Sequence, residues 1–323
     1  MTPPADESLV ARVRQLAALR TGRGPDDALI LAGVRGFVDA FDYWYIRVIR
    51  EAVPKYRKLI IARINPFIRR VELEGLYADE AAMRLVEDYA RRNFVTAGGW
   101  ALEELAIASS ATLQKSAAEG MDAQRLDPST GAYHLYVLKS GIVTRNSDIV
   151  KAIKSNGRQA EKLLRQGRGT GGVHLNYAIL AGKTSSTFED GVSRPSSAEF
   201  WAEALDLPES EALELALAMA AEAGRLVTGD ATSHLAAMGT LVARYISTGD
   251  GNGHIDWDFI AKRNMQTPKA WKSEDRTRHL AALAALTAIG YRPVSEDGDA
   301  DAAALAEVIA DLEPTAEQLA SDE

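Results

Sequence analysis

The chain has 323 residues, 46% apolar and 25% charged, the balance of a soluble globular protein long enough for a sizeable core or two domains. It has no cysteine, which excludes disulfides, thiolate metal sites and cysteine nucleophiles, and its five histidines show no H-x-x-x-H spacing. The net charge of −8 is unevenly spread: residues 293–323 hold ten acids and no Lys or Arg, which leaves +2 for residues 1–292.

No apolar run approaches the roughly 18 residues of a membrane span. The start, MTPPADESLVARVRQL, is polar and lacks the apolar stretch of a secretory signal, so a cytoplasmic protein without membrane contact is expected. Two stretches are strongly basic. Residues 44–73 and 139–168 each hold eight Lys/Arg against two acids. Either stretch alone reads as a solvated helix face, but basic stretches beside an acidic tail raise nucleic acid as a partner.

Residues 1–84 read as helical. Ile30, Val34, Phe37, Phe41, Tyr45 and Ile49 recur at helical spacing, and Pro54 and Asn65-Pro66 punctuate the region. The aromatics Phe41, Tyr43, Trp44 and Tyr45 are expected in the core rather than on a base-stacking surface. Residues 80–119 read as two helices or one broken helix, with the break at Gly98-Gly99 and with Glu103 and Glu104 inside an apolar stretch.

The period then changes. GMDAQRLDPSTGAYHLYVLKSG has the form of a β-hairpin: Asp127–Gly131 is a turn, and Ala132–Lys139 suits a buried strand. Asn146 or Ser147 caps a helix over DIVKAIKSNGRQAEKLLRQ, which Gly157 weakens. VHLNYAILA at 173–181 is a further strand, and the chain is helical again from Ser197, with Ser210–Leu226 and Arg276–Ile289 the clearest segments. The predicted organisation is an N-terminal helical region (1–84), a core with the only sheet signals (85–205), a C-terminal helical region (206–292) and an acidic tail (293–323).

Two nucleotide motifs fail on context. Gly182-Lys183-Thr184 has Tyr177 where a phosphate loop needs glycine, and the G-x-G-x-x-G at 167–172 follows a helix and opens a strand, the reverse of a dinucleotide fingerprint.

The constellation that carries chemistry lies in the core. Asp122 stands near the start of one hairpin strand, Lys139 at the end of the other, and the preceding helix offers Glu103, with Glu104 as the alternative acid. One or two carboxylates suffice for Mg²⁺, which keeps waters and takes substrate phosphate as a further ligand. A lysine beside such an ion stabilises charge on a phosphoryl transition state. Arg145, Lys151, Lys154, Arg158 and Lys162 supply cations for a DNA backbone. Taken singly, Asp122 is a turn residue and Lys139 a strand-end cation; it is their combination with the following helix that raises the active-site reading. Asp148 reads as a helix-start charge.

The order helix–hairpin–helix–strand, with an aspartate and a downstream x-Lys, resembles the PD-(D/E)xK nucleases, and more narrowly type II restriction endonucleases of the PmeII kind. The similarity runs over about residues 65–205. It is carried by NPFIRRVEL (65–73), FVTAGGWALEELA (94–106), GMD (120–122), HLYVLKSGIVTRNSDIVKAIKSNGRQAEKLL (134–164), VHLNYAILAGKT (173–184) and SSAEFWAEAL (196–205).

The resemblance implies an α/β (α+β) restriction-endonuclease-like core flanked by helical regions. It implies a Mg²⁺- or Mn²⁺-dependent endodeoxyribonuclease of restriction or phage defence acting on double-stranded DNA, a homodimer, and room for a defence-system partner protein. Asp122 matches the metal-binding aspartate, Lys139 the catalytic lysine and Glu103 a helix glutamate, so Asp122 and Glu103 are the implied metal ligands. The departure is Val137, which stands where the pattern has a second acidic or amide residue. It motivates a second reading, a non-catalytic DNA-binding or assembly subunit of a defence complex built on a degenerate nuclease fold. A third is a largely helical scaffold without DNA affinity.

Overall fold

A computed structural model describes residues 6–17, 19–20, 24–141, 147–167, 172–183, 186–187, 192–227, 231–248 and 253–291. The helices of the first half are α1 (Asp6–Ala17), α2 (Asp27–Phe41), α3 (Arg47–Ala52), α4 (Tyr56–Leu59), α5 (Pro66–Leu73) and α6 (Ala78–Ala108), with a π-helical turn at Asp42–Ile46. Those of the second half are α7 (Ser147–Gly167), α8 (Ser197–Leu205), α9 (Glu209–Leu226), α10 (Ala231–Ile246), α11 (Trp257–Met265) and α12 (Lys272–Ala288). Six strands lie between: β1 (Gln114–Lys115), β2 (Ala123–Leu126), β3 (Tyr133–Lys139), β4 (Val173–Ile179), β5 (Ser186–Thr187) and β6 (Val192–Arg194). Among the described residues no helix is long and apolar enough to cross a membrane. Arg145 and the acidic tail lie outside the described residues.

The chain divides into two compact units, each drawn from two separate segments. The first takes residues 1–45 and 94–229, the second residues 46–93 and 230–323.

The first unit is a mixed six-stranded sheet, in the order β1-β2-β3-β4-β6-β5, with helices on both faces. β2 and β3 form the predicted antiparallel hairpin, from Ala123↔Tyr136 to Leu126↔Tyr133. Its turn is set by Asp127, whose carboxylate accepts from the Ser129 backbone N–H and from the Ser129 and Thr130 hydroxyls. Those hydrogen bonds hold the Asp127 carboxyl below the usual carboxylate range, and Gly131 supplies the positive φ of 68° that closes the turn.

β3 and β4 run parallel in full register, from Tyr133↔Val173 to Lys139↔Ile179, with α7 as the crossover. Both strands place apolar residues on both faces because both faces are covered. Leu135, Val137, Tyr177 and Ile179 pack in one cluster with Ile153 and Ala160 of α7. Tyr136, Leu138 and Ala178 pack in the other, with residues of α1, α2, α6, α8 and α9. α8 begins with a capping box in which Ser196 and Glu199 satisfy each other's backbone N–H groups.

Three sequence expectations change. Gly98-Gly99 does not break a helix: α6 runs unbroken through 31 residues. Gly99 is instead a close approach, since a Cβ there would come within 2.9 Å of Ser140 Oγ. Gly157 has the same use, because a Cβ would fall 2.5 Å from Leu175 Cδ1, so its helix-propensity cost is exchanged for close packing of α7 on β4. The aromatic run also divides. Phe41 and Tyr45 are buried, but Tyr43 and Trp44 are 50% and 41% exposed. The strands β1, β5 and β6, two or three residues long, extend the sheet beyond the predicted set.

The second unit is helical. α10 packs against α3, α4, α11 and α12, and α11 against α5. Asn65 caps α5 through the Phe67 and Ile68 N–H groups, with Pro66 at the first helical position. A buried polar knot ties four helices together. Asp275 of α12 accepts from Tyr245 Oη of α10, from Arg263 Nε of α11 at 3.0 Å and from Arg57 of α4 at 2.8 Å.

Candidate active site

The candidate residues gather where the C-terminal end of β3 meets the residues preceding β2 and passes beside α6. Asp122 is fixed twice by the hairpin. Its backbone N–H donates to Tyr136 O at 2.8 Å, and its Oδ2 accepts from the Leu138 N–H at 2.7 Å. The carboxylate is thereby locked against the last turn of β3, and the Lys139 Nζ lies 3.9 Å from the same Oδ2. Lys139 ends the strand, and its side chain is 41% exposed.

Glu103 enters from α6. The Gly99–Ser140 approach brings this helix against the residue following Lys139. Burial pushes the Glu103 carboxyl up to about 7, the Asp122 charge pushes the same way, and the Lys139 ammonium opposes both. Glu104 and Lys115 act on Glu103 as well, more weakly than Asp122 and Lys139. Glu104, the alternative acid, differs: it forms an ion pair with Lys115 of β1 at 2.5 Å.

The Glu103 shift has a consequence for stability. A carboxyl whose pKa is raised by folding destabilises the native state once the unfolded form ionises. The penalty grows as pH rises from the ordinary 4.5 towards 7 and is complete above it. Glu103→Gln removes the charge and is expected to raise the melting temperature at pH 8 by a few degrees, with little change at pH 4. Calorimetric scans at both pH values check this; a variant that melts lower at pH 8 contradicts the assigned environment.

Val137 is 7% exposed and sits in the apolar cluster with Leu135, Tyr177, Ile179 and Ile153. It offers no metal donor. Among the described residues no three His, Asp or Glu side chains group as a metal centre. The donors present are two carboxylates. They fit a hard divalent ion that retains water, such as Mg²⁺ or Mn²⁺, better than an ion that needs imidazole or thiolate. The electrostatics support that fit: the Asp122 charge disfavours ionisation of Glu103, a repulsion that a bound cation would relieve.

Lys151, Lys154, Arg158 and Lys162 line one shallow groove of about 390 Å³ on α7, together with Ser155 and Gln159. Ile153 and Ala160 of the same helix are buried against the sheet, so these cations occupy its outer side. Arg145, the fifth predicted backbone contact, lies outside the described residues. An exposed aromatic group, Tyr43, Trp44 and Trp100, was not singled out by periodicity, because a helical stripe of rings reads as core. The available signal was Trp100 standing three residues before Glu103.

Residues 41–219 match the model for type II restriction endonuclease EcoO109I. The match spans β1 to β6, the three candidate residues and α7. No curated protein matches the chain.

Proposed function

Because the chain belongs to the EcoO109I family of type II restriction endonucleases, with the PD-(D/E)xK fold, we propose that it is a Mg²⁺- or Mn²⁺-dependent endonuclease that hydrolyses phosphodiesters of double-stranded DNA. The observation that carries the reading is the joining of Glu103, Asp122 and Lys139 in one electrostatic cluster at the end of β3.

Asp122 and Glu103 would hold the metal. When bound, the ion supplies charge neutralisation at the phosphate and a water of lowered pKa. Lys139 projects its ammonium towards the phosphate, orients the attacking water and stabilises the negative charge that builds on the phosphoryl oxygens. Asp122 keeps its orientation through the Leu138 N–H, so the carboxylate needs no rearrangement when substrate arrives. Lys151, Lys154, Arg158 and Lys162 hold the backbone, and Arg145 joins them. The enzyme acts in the cytoplasm as a homodimer, one copy for each strand, in restriction or phage defence, where a partner protein of the same system is expected.

The test is plasmid cleavage by the purified protein with Mg²⁺ or Mn²⁺ and with EDTA. Metal-dependent linear or nicked product supports the reading, and intact plasmid under every metal counts against it. The α7 contacts make a separate expectation. Lys154→Ala/Arg158→Ala weakens DNA binding evenly across sequences and lowers the slope of log affinity against log salt by about 2. Anisotropy titrations at several NaCl concentrations measure this, and an unchanged slope removes α7 from the interface.

The burial of Val137 in the apolar cluster favours one second reading, a non-catalytic DNA-binding or assembly subunit. It predicts salt-dependent DNA binding without cleavage under any divalent metal.

A further inference from the structure

We propose that Tyr43, Trp44 and Trp100 form a stacking platform for a nucleobase adjoining the scissile phosphate; this surface rests on the nuclease reading above. The rings form one contiguous cluster, with Tyr43 edge-on to Trp44 at 85° and Trp44 tilted by 51° from Trp100, so that each offers its own face. The Trp44 centroid lies 4.2 Å from that of Trp100, and the Tyr43 centroid 4.7 Å from that of Trp44. All three remain exposed, at 50%, 41% and 38% in sequence order. Their chain neighbours show the alternative: Phe41 and Tyr45 are buried and pack on Phe94. Leaving three large rings together in water forgoes that burial, the signature of a contact surface.

Position identifies the partner. Trp100 and Glu103 are three residues apart on α6, so they are surface neighbours separated by about 4.5 Å along the helix axis. Gly99, beside Trp100, is the residue packed on Ser140, which follows Lys139. The platform therefore borders the carboxylate–lysine cluster. Successive base pairs of a duplex rise about 3.4 Å, so a phosphate seated at that cluster puts its neighbouring nucleotides within reach of Trp100.

Local structure supports the same conclusion. The π-helical turn Asp42–Ile46 carries both Tyr43 and Trp44, and such turns are frequent at functional sites. Flat rings with a polar edge accept any base face, so the platform holds an unstacked base at a kinked step without reading its identity. Stacking on one such ring is worth about ten- to hundredfold in affinity.

The experiment uses the full chain and a fluorescein-labelled 40-base-pair duplex pool of random sequence, with Ca²⁺ replacing Mg²⁺ to separate binding from hydrolysis. Trp44→Leu/Trp100→Leu keeps apolar bulk but removes the flat faces. It is expected to bind at least tenfold more weakly than wild type and to lose the tryptophan quenching that DNA produces. Trp44→Phe/Trp100→Phe, which retains rings and guards against a folding defect, is expected to recover most of the affinity. Equal binding by the Leu and Phe pairs overturns the platform. So does a Leu pair whose molar mass in solution falls while its DNA affinity is unchanged, which assigns the rings to a contact between copies. A wild-type protein that neither binds nor cleaves DNA overturns the nuclease reading itself, whereas one that cuts normally beside a Leu pair of full affinity overturns the platform alone.

Discussion

The Asp122→Asn protein is expected to melt close to wild type and to cleave DNA roughly 10²–10³-fold more slowly. The two halves of this expectation come from different atoms. Asparagine retains a side-chain oxygen that accepts from the Leu138 N–H, the bond that closes the hairpin end at 2.7 Å, so local structure survives. It does not retain the negative charge that, in the site we propose, attracts a divalent ion together with Glu103, nor the charged partner of the Lys139 ammonium 3.9 Å away. Asp122→Ala removes both and is expected to melt lower as well, because the buried Leu138 N–H loses its acceptor. Thermal melts and cleavage rates on one plasmid preparation check the pair. An Asp122→Asn protein that cuts within tenfold of wild type removes this carboxylate from the chemistry.

The second large effect is on stability and lies in the helical unit. Asp275→Ala is expected to cost about 3–5 kcal/mol, a large fraction of the ~5–15 kcal/mol that holds a typical domain folded. Asp275 is 7% exposed and accepts from Tyr245, Arg263 and Arg57, one residue on each of three other helices. Removing it leaves the Arg263 guanidinium, itself 11% exposed, without its carboxylate. Burial pushes the Asp275 carboxyl up, but the hydrogen bonds from Tyr245 and Arg263 and the Arg57 and Arg263 charges outweigh it and hold the group below its usual range.

The sign of the pH effect follows. A depressed carboxylate contributes stability that is present above its unfolded pKa of about 3.9 and is lost as pH falls through the folded value. His279 adds to the acid sensitivity. Burial and the Arg57 charge lower its pKa from 6.5 to about 4, so its contribution declines as pH falls from 6.5 towards 4. Denaturant titrations at pH 7 check the substitution; a loss under 1 kcal/mol contradicts the knot as a structural centre.

Much of the sheet unit is legible in the sequence for local reasons. Asp127-Pro-Ser-Thr-Gly131 encodes its turn in side-chain acceptors and one positive φ. β3 and β4 are mostly apolar and aromatic, as a central parallel pair requires, though His134, His174 and Asn176 interrupt the runs. Of Ile30, Val34, Phe37, Phe41, Tyr45 and Ile49, spaced as one helical stripe, all but the half-buried Phe37 are buried.

What escaped local reading depends on tertiary neighbours. Gly98-Gly99 has the composition of a break, yet α6 continues because Gly99 is needed for the approach to Ser140. β1, β5 and β6 are too short to carry a period. The compact units combine segments far apart in sequence, such as residues 46–93 with 230–323, and no shift in composition announces such a pairing.

The candidate site divides in the same way. Asp122 and Lys139 share a hairpin, so their proximity follows from strand pairing. Glu103 lies on a separate helix, and sequence leaves it level with Glu104. We propose Glu103 as the ligand because the Asp122 and Lys139 charges act on it most strongly, whereas Glu104 pairs with Lys115. Exposure of Tyr43 and Trp44 beside buried Phe41 and Tyr45 is also a tertiary outcome, set by the π-helical turn and by Trp100 of α6.

The most direct measurement of the central claim is digestion of phage and plasmid DNA by wild type and by Lys139→Ala, each with Mg²⁺, Mn²⁺ or EDTA. The account predicts discrete fragments from the wild type with either metal, none with EDTA, and loss of those fragments in the variant while DNA binding persists. Wild-type protein that binds DNA and cuts none of it, or a Lys139→Ala protein that cuts at the wild-type rate, contradicts it.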